Sequence, residues 1–369
     1  MRTDLRDFFP NIRSREAVLS EIHEKPFLQE TFSSWLPDEQ ERFLDYCTGV
    51  RGMKILYDPY FKEIFNPEYV PERLETLLSL ILKKKVRIRQ ILPNDSVRLA
   101  DEGSLLITDI VVEFADGSIA NVEVQKIGYL FPGERIACYV SDLMLRQYRR
   151  IRNRQKKKFS YKDIHEVYTI IFYESSPSEF RDFPDIYLHH GRTIFDSGLS
   201  FPIPFQFYMI PLDIFRKSFY NNGIQNQLEA WLAFLSLDQP EHIAQLISQY
   251  PEFRPLYQHL YDICRNNVER MVSMFSKELQ LMDRNTTRLM IDELSAQVEE
   301  FRTAYKEKEA AYLKINEAYT QKDAECKKKD AAFHKITEAY TQKEEECKEK
   351  DDIIASLKKQ LQNLKASDK

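Results

Sequence analysis

The sequence predicts an α/β (α+β) architecture: a mixed sheet flanked by helices, accessory helices around it, and a long C-terminal coiled coil. Three observations carry that prediction. Residues 105–126 alternate apolar and polar side chains at every second position, as a β-hairpin does. Helical periodicity lies on both sides of that stretch, and a second strand pattern at VYTIIFYES follows, an order that lays helices on a sheet. From Ile291 to Leu364 apolar residues fall on a three-four alternation, the seam of a coiled coil.

Composition sets the bounds. A chain of 369 residues exceeds a comfortable single core, so two or three units are expected. Hydrophobic content of 43% with 12% aromatic is ample for a packed interior and excludes a disordered chain, while only 9 glycines argues against a phosphate-cradling loop enzyme. The formal net charge of -5 excludes wholesale electrostatic binding to nucleic acid and leaves that role to local patches. Five scattered cysteines without CxxC spacing fit a reducing compartment and give no zinc site. The N-terminal run has no signal-peptide core, and no stretch reaches the ~20 apolar residues of a membrane span, so the expectation is a cytoplasmic protein without membrane contact.

Along the chain, residues 12–49 read as helices. Ser34, Pro37 and Asp38 are start signals before an apolar stripe at Phe43, Leu44 and Cys47, and Thr48-Gly49 closes it. Leu74, Leu77, Leu78 and Ile81 mark the next helix, ended by Lys83-Lys84-Lys85, and VRIRQIL reads as an edge or half-buried strand. After the hairpin come a helix from Arg135 to Arg154, the strand VYTIIFYES, a Pro- and aromatic-rich segment, a strand near FQFYMIPL, and helices to about Thr286. The expected division is 1–50 as N-terminal helical extension, 51–180 as the core holding the hairpin, 181–288 as accessory strand and helices, and 289–366 as coiled coil. Within the coil, NEAYTQKDAECKKKD and TEAYTQKEEECKEKD repeat, setting Tyr319 over Tyr340 and Cys326 over Cys347. Lys308, Lys322, Lys329, Lys343 and Lys350 occupy seam positions, which weakens the middle and leaves the Leu-rich end tightest. The persistence of the pattern predicts a homo-oligomer through residues 291–364; a lone charged helix is the other reading.

The hairpin carries the chemistry. Alternation puts Ile110, Val112 and Phe114 on one face with Ala120, Val122 and Val124, and Asp109, Val111 and Glu113 on the other with Asn121, Glu123 and Gln125. If the apolar sets share a core, Ile110 opposes Val122, Val112 opposes Ala120, and Asp109 opposes Glu123. That register needs an odd loop, which Ala115-Asp116-Gly117 supplies, Gly117 taking the left-handed position. Two carboxylates would then lie about 5 Å apart at Cβ on a solvent-accessible face. Their repulsion is relieved by a hard divalent cation such as Mg²⁺, which could polarise a phosphodiester and acidify a water. The same spacing also fits an ordinary solvent-facing strand with scattered acids, and spacing alone does not choose.

The run from LYDPYFKEIF through TDIVVEFADGSIANVEVQ to FPGERIACYVSDLMLRQY resembles the PD-(D/E)XK nuclease family transposases, also called recombination-promoting nuclease-like proteins, over residues 40–180 and more weakly to about 285. The family's strand-opening Asp matches Asp109, and its Glu-x-Gln matches Glu123 and Gln125. Its Arg and Tyr on the following helix match Arg135 and Tyr139, after an aromatic at Phe131, and Asp58, Phe61, Lys62 and Phe65 match the preceding helix. The resemblance implies a restriction-endonuclease-like core at 51–180. It also implies a Mg²⁺-dependent DNA endonuclease of the recombination-promoting type, Mn²⁺ able to substitute, with Asp109 and Glu123 as metal ligands. Glu75, on the helix before the sheet, is a candidate third ligand, Gln125 orients the water and Arg135 lies near phosphate. The wider superfamily ends its motif with a Lys, whose charge Gln125 cannot supply. Lys126 does not replace it, because alternation turns it to the opposite face.

Several other residues admit both a functional and a plainer role. Arg146, Arg149, Arg150, Arg152, Arg154, Lys156, Lys157 and Lys158 form a DNA-backbone patch, flanked by Lys83, Lys84, Lys85, Arg87 and Arg89; a solvated helix end is the plainer reading. No base-reading motif is visible. His189-His190 reads as a surface loop pair, Cys138 as a small packed residue, and the Tyr and Phe abundance from Phe172 to Phe219 as core packing. The function alternative to an endonuclease is a catalytically weak or inactive nuclease-fold protein that binds DNA or assembles through its coil.

Overall fold

The computed structural model describes residues 4–92, 110–126 and 132–367. In chain order the helices and strands are α1 (Arg15–Glu24), α2 (Pro26–Ser33), α3 (Pro37–Thr48), α4 (Asp58–Ile64), α5 (Pro71–Leu82), β1 (Ile88–Ile91), β2 (Ile110–Phe114), β3 (Ile119–Gln125) and α6 (Pro132–Gln155). There follow β4 (Val167–Tyr173), β5 (His189–Arg192), β6 (Phe205–Pro211), α7 (Leu212–Asn222), α8 (Gln227–Ser236), α9 (Pro240–Gln249), α10 (Arg254–Asn266) and α11 (Val268–Ser367).

Local chemistry sets many of the boundaries. Proline stands in the first turn of α2, α3, α4, α5 and α9, where its missing N–H costs nothing. Of the start signals proposed for α3, Pro37 and Asp38 open the helix while Ser34 closes α2; the Glu39 carboxylate reaches back to the Leu36 N–H at 2.8 Å, and Gly49 closes α3 at φ 71. Lys83 ends α5 in the left-handed region at φ 52.

The sheet runs β1-β2-β3-β4-β6-β5. Pairs β1/β2, β2/β3 and β5/β6 are antiparallel, while β3/β4 and β4/β6 are parallel, so the sheet is mixed. One face carries Ile110, Val112, Ala120, Val122, Ile170 and Phe172 into the main core, which helices on both sides of the sheet region in sequence help to build. Leu5 and Phe43 come from the first fifty residues, and Phe219, Trp231 and Phe275 from beyond residue 181. Phe275, on α11, packs against Trp35 and Phe43 with ring centroids 5.0 and 5.5 Å away. The opposite face is roofed by α6, whose Ile136, Val140 and Leu143 meet Ile171, Tyr173, Val111 and Ile119.

Two compact units result, residues 1–292 and residues 293–369. Divisions at 50/51 and 180/181 therefore do not separate folding units, because the flanking segments bury their apolar faces in the same core and β5 and β6 complete the same sheet. His189 and His190 are also not a loop pair: they lie on the edge strand β5, where His190 stacks on Tyr208 at 4.4 Å. Among the described residues no helix is long and apolar enough to cross a membrane.

Candidate active site

The hairpin has the register its alternation requires. Ile110 pairs with Val122 and Val112 with Ala120, while Phe114 N–H donates to Ser118 O (2.8 Å) and Gly117 N–H to Phe114 O (3.0 Å) across the three-residue loop. Gly117 sits at φ 88, and a Cβ there would meet the His165 ring at 2.8 Å, so conformation and space both demand glycine. Asp109 and Phe131 lie outside the described residues, as does the side chain of Arg135.

Glu123 and Gln125 project from β3 toward α6, together with Asn121. This face is not the open surface expected: Glu123 is 5% exposed, Gln125 3% and Asn121 0%. A solvated strand with scattered acids is thereby excluded for Glu123. Gln125 Nε2 donates to Glu123 Oε1 at 3.1 Å, which fixes the amide and turns Gln125 Oε1 away from the carboxylate. That oxygen, both polar atoms of the Asn121 amide, and the Thr169 hydroxyl on the neighbouring parallel strand are buried and hydrogen-bonded to nothing among the described residues. A buried amide or hydroxyl left without any partner costs about 1–3 kcal/mol. Sequence reading picked out Glu123 and Gln125 and passed over Asn121, although alternation placed it on the same face.

The donor set suits a hard cation. Glu123 offers a carboxylate and Gln125 a buried carbonyl oxygen, the ligand type that magnesium and manganese prefer. Among the described residues no group of three or more His, Cys, Asp and Glu side chains could hold a metal ion. Glu75 does not join Glu123: its carboxylate accepts from Ile88 N–H at 2.7 Å, and Ile88 pairs with Phe114 at the hairpin-loop end of β2. Glu123 lies past the Ile110 end, five residues or roughly 17 Å along the strand from Phe114.

The basic patch divides in two. Arg146 and Arg150 do not stand free for phosphate, since Arg146 pairs with Asp142 at 2.7 Å and Arg150 with Glu113 at 2.7 Å, both partly buried. Glu113, itself buried, also binds Arg89 at 3.5 Å and Gln90 at 2.7 Å, tying α6 and β1 to the hairpin. Arg149, Arg152, Arg154, Lys156, Lys157 and Lys158 are exposed, with Arg152 donating to the Tyr148 hydroxyl. Lys84 is occupied by Tyr168 (2.8 Å) and Asp116 (3.3 Å). Cys138 is exposed on α6 instead of packed, because it falls on the helix face turned away from Ile136 and Val140.

At the end of β3, Lys126 turns to the opposite face, as alternation requires, and pairs with Glu278 of α11. Glu278 is fully buried and also accepts from the Asp58 N–H at 2.9 Å, while the Lys126 ammonium lies 5.3 Å from the Tyr57 ring. Burial pushes the Glu278 carboxyl above its ordinary range, and the Lys126 ammonium pulls the other way. The strand end that carries Gln125 is thus anchored to α4 and α11, and to β4 through the bond from Glu174 N–H to Gln125 O at 2.8 Å. Tyr173, in register with Gln125, lines a cavity of about 380 Å³ with Ile136, Phe180, Phe183 and His189.

Comparison with known proteins bears on this arrangement. The profile of the PD-(D/E)XK nuclease family transposase matches residues 55–287, from just before α4 into α11 and including every described strand. No curated protein and no solved structure matched the chain. A match over more than half of the length, across a mixed sheet with Glu123 and Gln125 gathered beneath α6, establishes that the chain belongs to the PD-(D/E)XK nuclease family transposases.

Proposed function

We propose that this protein is a Mg²⁺-dependent DNA endonuclease that hydrolyses phosphodiesters in a recombination-promoting role, working in the cytoplasm. The observation that carries the proposal is the Glu123–Gln125 pair, buried at 5% and 3% exposure and joined by a 3.1 Å hydrogen bond. Asp109 and Glu123 are the proposed metal ligands, with Mn²⁺ able to replace Mg²⁺. A divalent cation held there supplies Lewis-acid polarisation of the phosphodiester and a more acidic water. Gln125 holds the Glu123 carboxylate in place through Nε2 and presents Oε1 as an acceptor for a water proton. Arg135 is assigned to the phosphate. Arg149, Arg152, Arg154, Lys156, Lys157 and Lys158 are assigned to the DNA backbone, which makes binding fall with salt and leaves base sequence unread.

Nicking of supercoiled plasmid in Mg²⁺ or Mn²⁺ tests this reading, with Asp109→Ala alongside. Cleavage by the parent and none by the variant is the expected result; equal nicking by both removes the assignment.

A second proposal concerns assembly. On the far part of α11, Tyr305, Tyr312, Tyr319, Phe333 and Tyr340 are 68–77% exposed along one stripe. We infer that residues 291–364 cover this stripe by self-association. If cleavage is absent and assembly persists, the protein is the catalytically weak binding or assembly relative.

A further inference from the structure

The seam of α11 is asymmetric in a way that selects how two copies meet. Written as heptads from Ile291, the a positions hold Tyr305, Tyr312, Tyr319, Phe333 and Tyr340, with Cys326 and Cys347 between and after them. The d positions hold Lys308, Lys322, Lys329, Lys343 and Lys350. Aliphatic residues sit at both ends, Ile291, Leu294 and Val298 at one and Ile354, Leu357 and Leu361 at the other. All described aromatic and aliphatic members of this stripe are exposed, so a partner is what would cover them.

Orientation follows from which positions face each other. In a parallel, in-register pair a meets a and d meets d, which stacks each of the five seam lysines on its own copy in a low-dielectric interface. In an antiparallel pair a meets d instead. At full overlap Ile291 meets the partner's Leu364, Val298 the partner's Leu357, Ile354 the partner's Phe301 and Leu361 the partner's Leu294, so aliphatic ends close on each other. In the middle Tyr305 meets the partner's Lys350, Tyr312 the partner's Lys343 and Phe333 the partner's Lys322, each an ammonium set against an aromatic ring. Tyr319 and Tyr340 meet the partner's Ile336 and the partner's Ile315, and Cys326 and Cys347 meet the partner's Lys329 and the partner's Lys308. No layer then holds two lysines. Each seam lysine is also followed by an acid, Glu309, Asp323, Asp330, Glu344 or Asp351, placed to neutralise the ammonium as it reaches out of the seam.

We propose that residues 291–364 form an antiparallel, fully overlapping coiled coil with a second copy of this chain, a proposal that rests on the self-association inferred above. The full-length protein with Cys138→Ser, Cys326→Ala and Cys347→Ala, which leaves only the buried Cys47 and Cys264, is the background for the test. Val298→Cys and Leu357→Cys are made separately in it, and the proteins are oxidised alone and after mixing and exchange. Sedimentation equilibrium should give a dimer, the mixture should yield a covalent heterodimer, and each protein alone should yield no cross-link. Cross-linking of either variant with itself overturns the antiparallel register while leaving self-association standing; a monomer, or an assembly larger than two, overturns the pairing itself. The Cys138→Ser, Cys326→Ala protein with its coil otherwise native guards against perturbation by the new cysteines. It should resist disulfide dimerisation through Cys347, which the antiparallel register sets far from the partner's Cys347, and ready dimerisation there overturns the proposal.

Discussion

The polar face of the hairpin and the seam of the long helix break opposite rules of burial. Beneath α6, Asn121 and Gln125 are withdrawn from water although the amide atoms of the first and Oε1 of the second meet no partner among the described residues. On α11, Tyr305, Tyr319 and Tyr340 remain in water although their rings would be better withdrawn. Stability alone would have exchanged these assignments. The first departure is what the proposed metal site would account for, and the second what the proposed partner copy would account for, and the two can be tested by reversing each in turn.

The largest effect is expected at the hairpin. Glu123→Gln keeps the shape and removes the charge, and plasmid nicking should fall on the order of a thousandfold or more, with the melting temperature held or raised. Unchanged nicking would show that this buried carboxylate is structural after all. Next comes the anchor on the other face of the same strand. Glu278→Ala strands the Lys126 ammonium in the interior and should cost about 3–5 kcal/mol in denaturant unfolding, whereas Lys126→Met with Glu278→Leu should recover most of it. A smaller change should follow reversal of the seam. Lys322→Leu and Lys343→Leu should tighten dimerisation by about 1–2 kcal/mol per buried layer in sedimentation equilibrium, while weakening the preference for the antiparallel register. Smallest is Asn121→Val, which replaces by methyls amide atoms that bond to nothing among the described residues. It should stabilise the fold by roughly 1 kcal/mol while lowering nicking; loss of stability would mean that the amide has a structural bond.

Much of this was legible in the chain. The hairpin register followed from alternation and an odd loop, and the edge position of β1 from the half-polar VRIRQIL. Alternation assigns side chains to faces, but it does not say which face is covered, so the roof that α6 places over Glu123 had to come from tertiary packing. The Asp142–Arg146 pair stands at helical spacing and was available to sequence reading, whereas Arg150–Glu113 and Lys126–Glu278 join residues far apart in the chain and left no local signal. Strand β5 was hidden because HHGR is short, carries a glycine and has no apolar alternation. The division of the first 288 residues failed for a related reason: composition shifts mark segments, and only packing decides whether segments share one interior.

The near-duplication of residues 310–330 by residues 331–351 has a further implication for how such a rod can change length. Loss of 310–330 would shorten the helix by about 30 Å and still match every layer: Tyr305 would keep Lys350, Phe333 would take Lys343, Tyr340 would take Ile336, and Cys347 would keep Lys308. Gain of another copy obeys the same rule. In the proposed antiparallel pair, the length of the paired segment would thus grow or shrink in fixed increments, with no new contact to evolve.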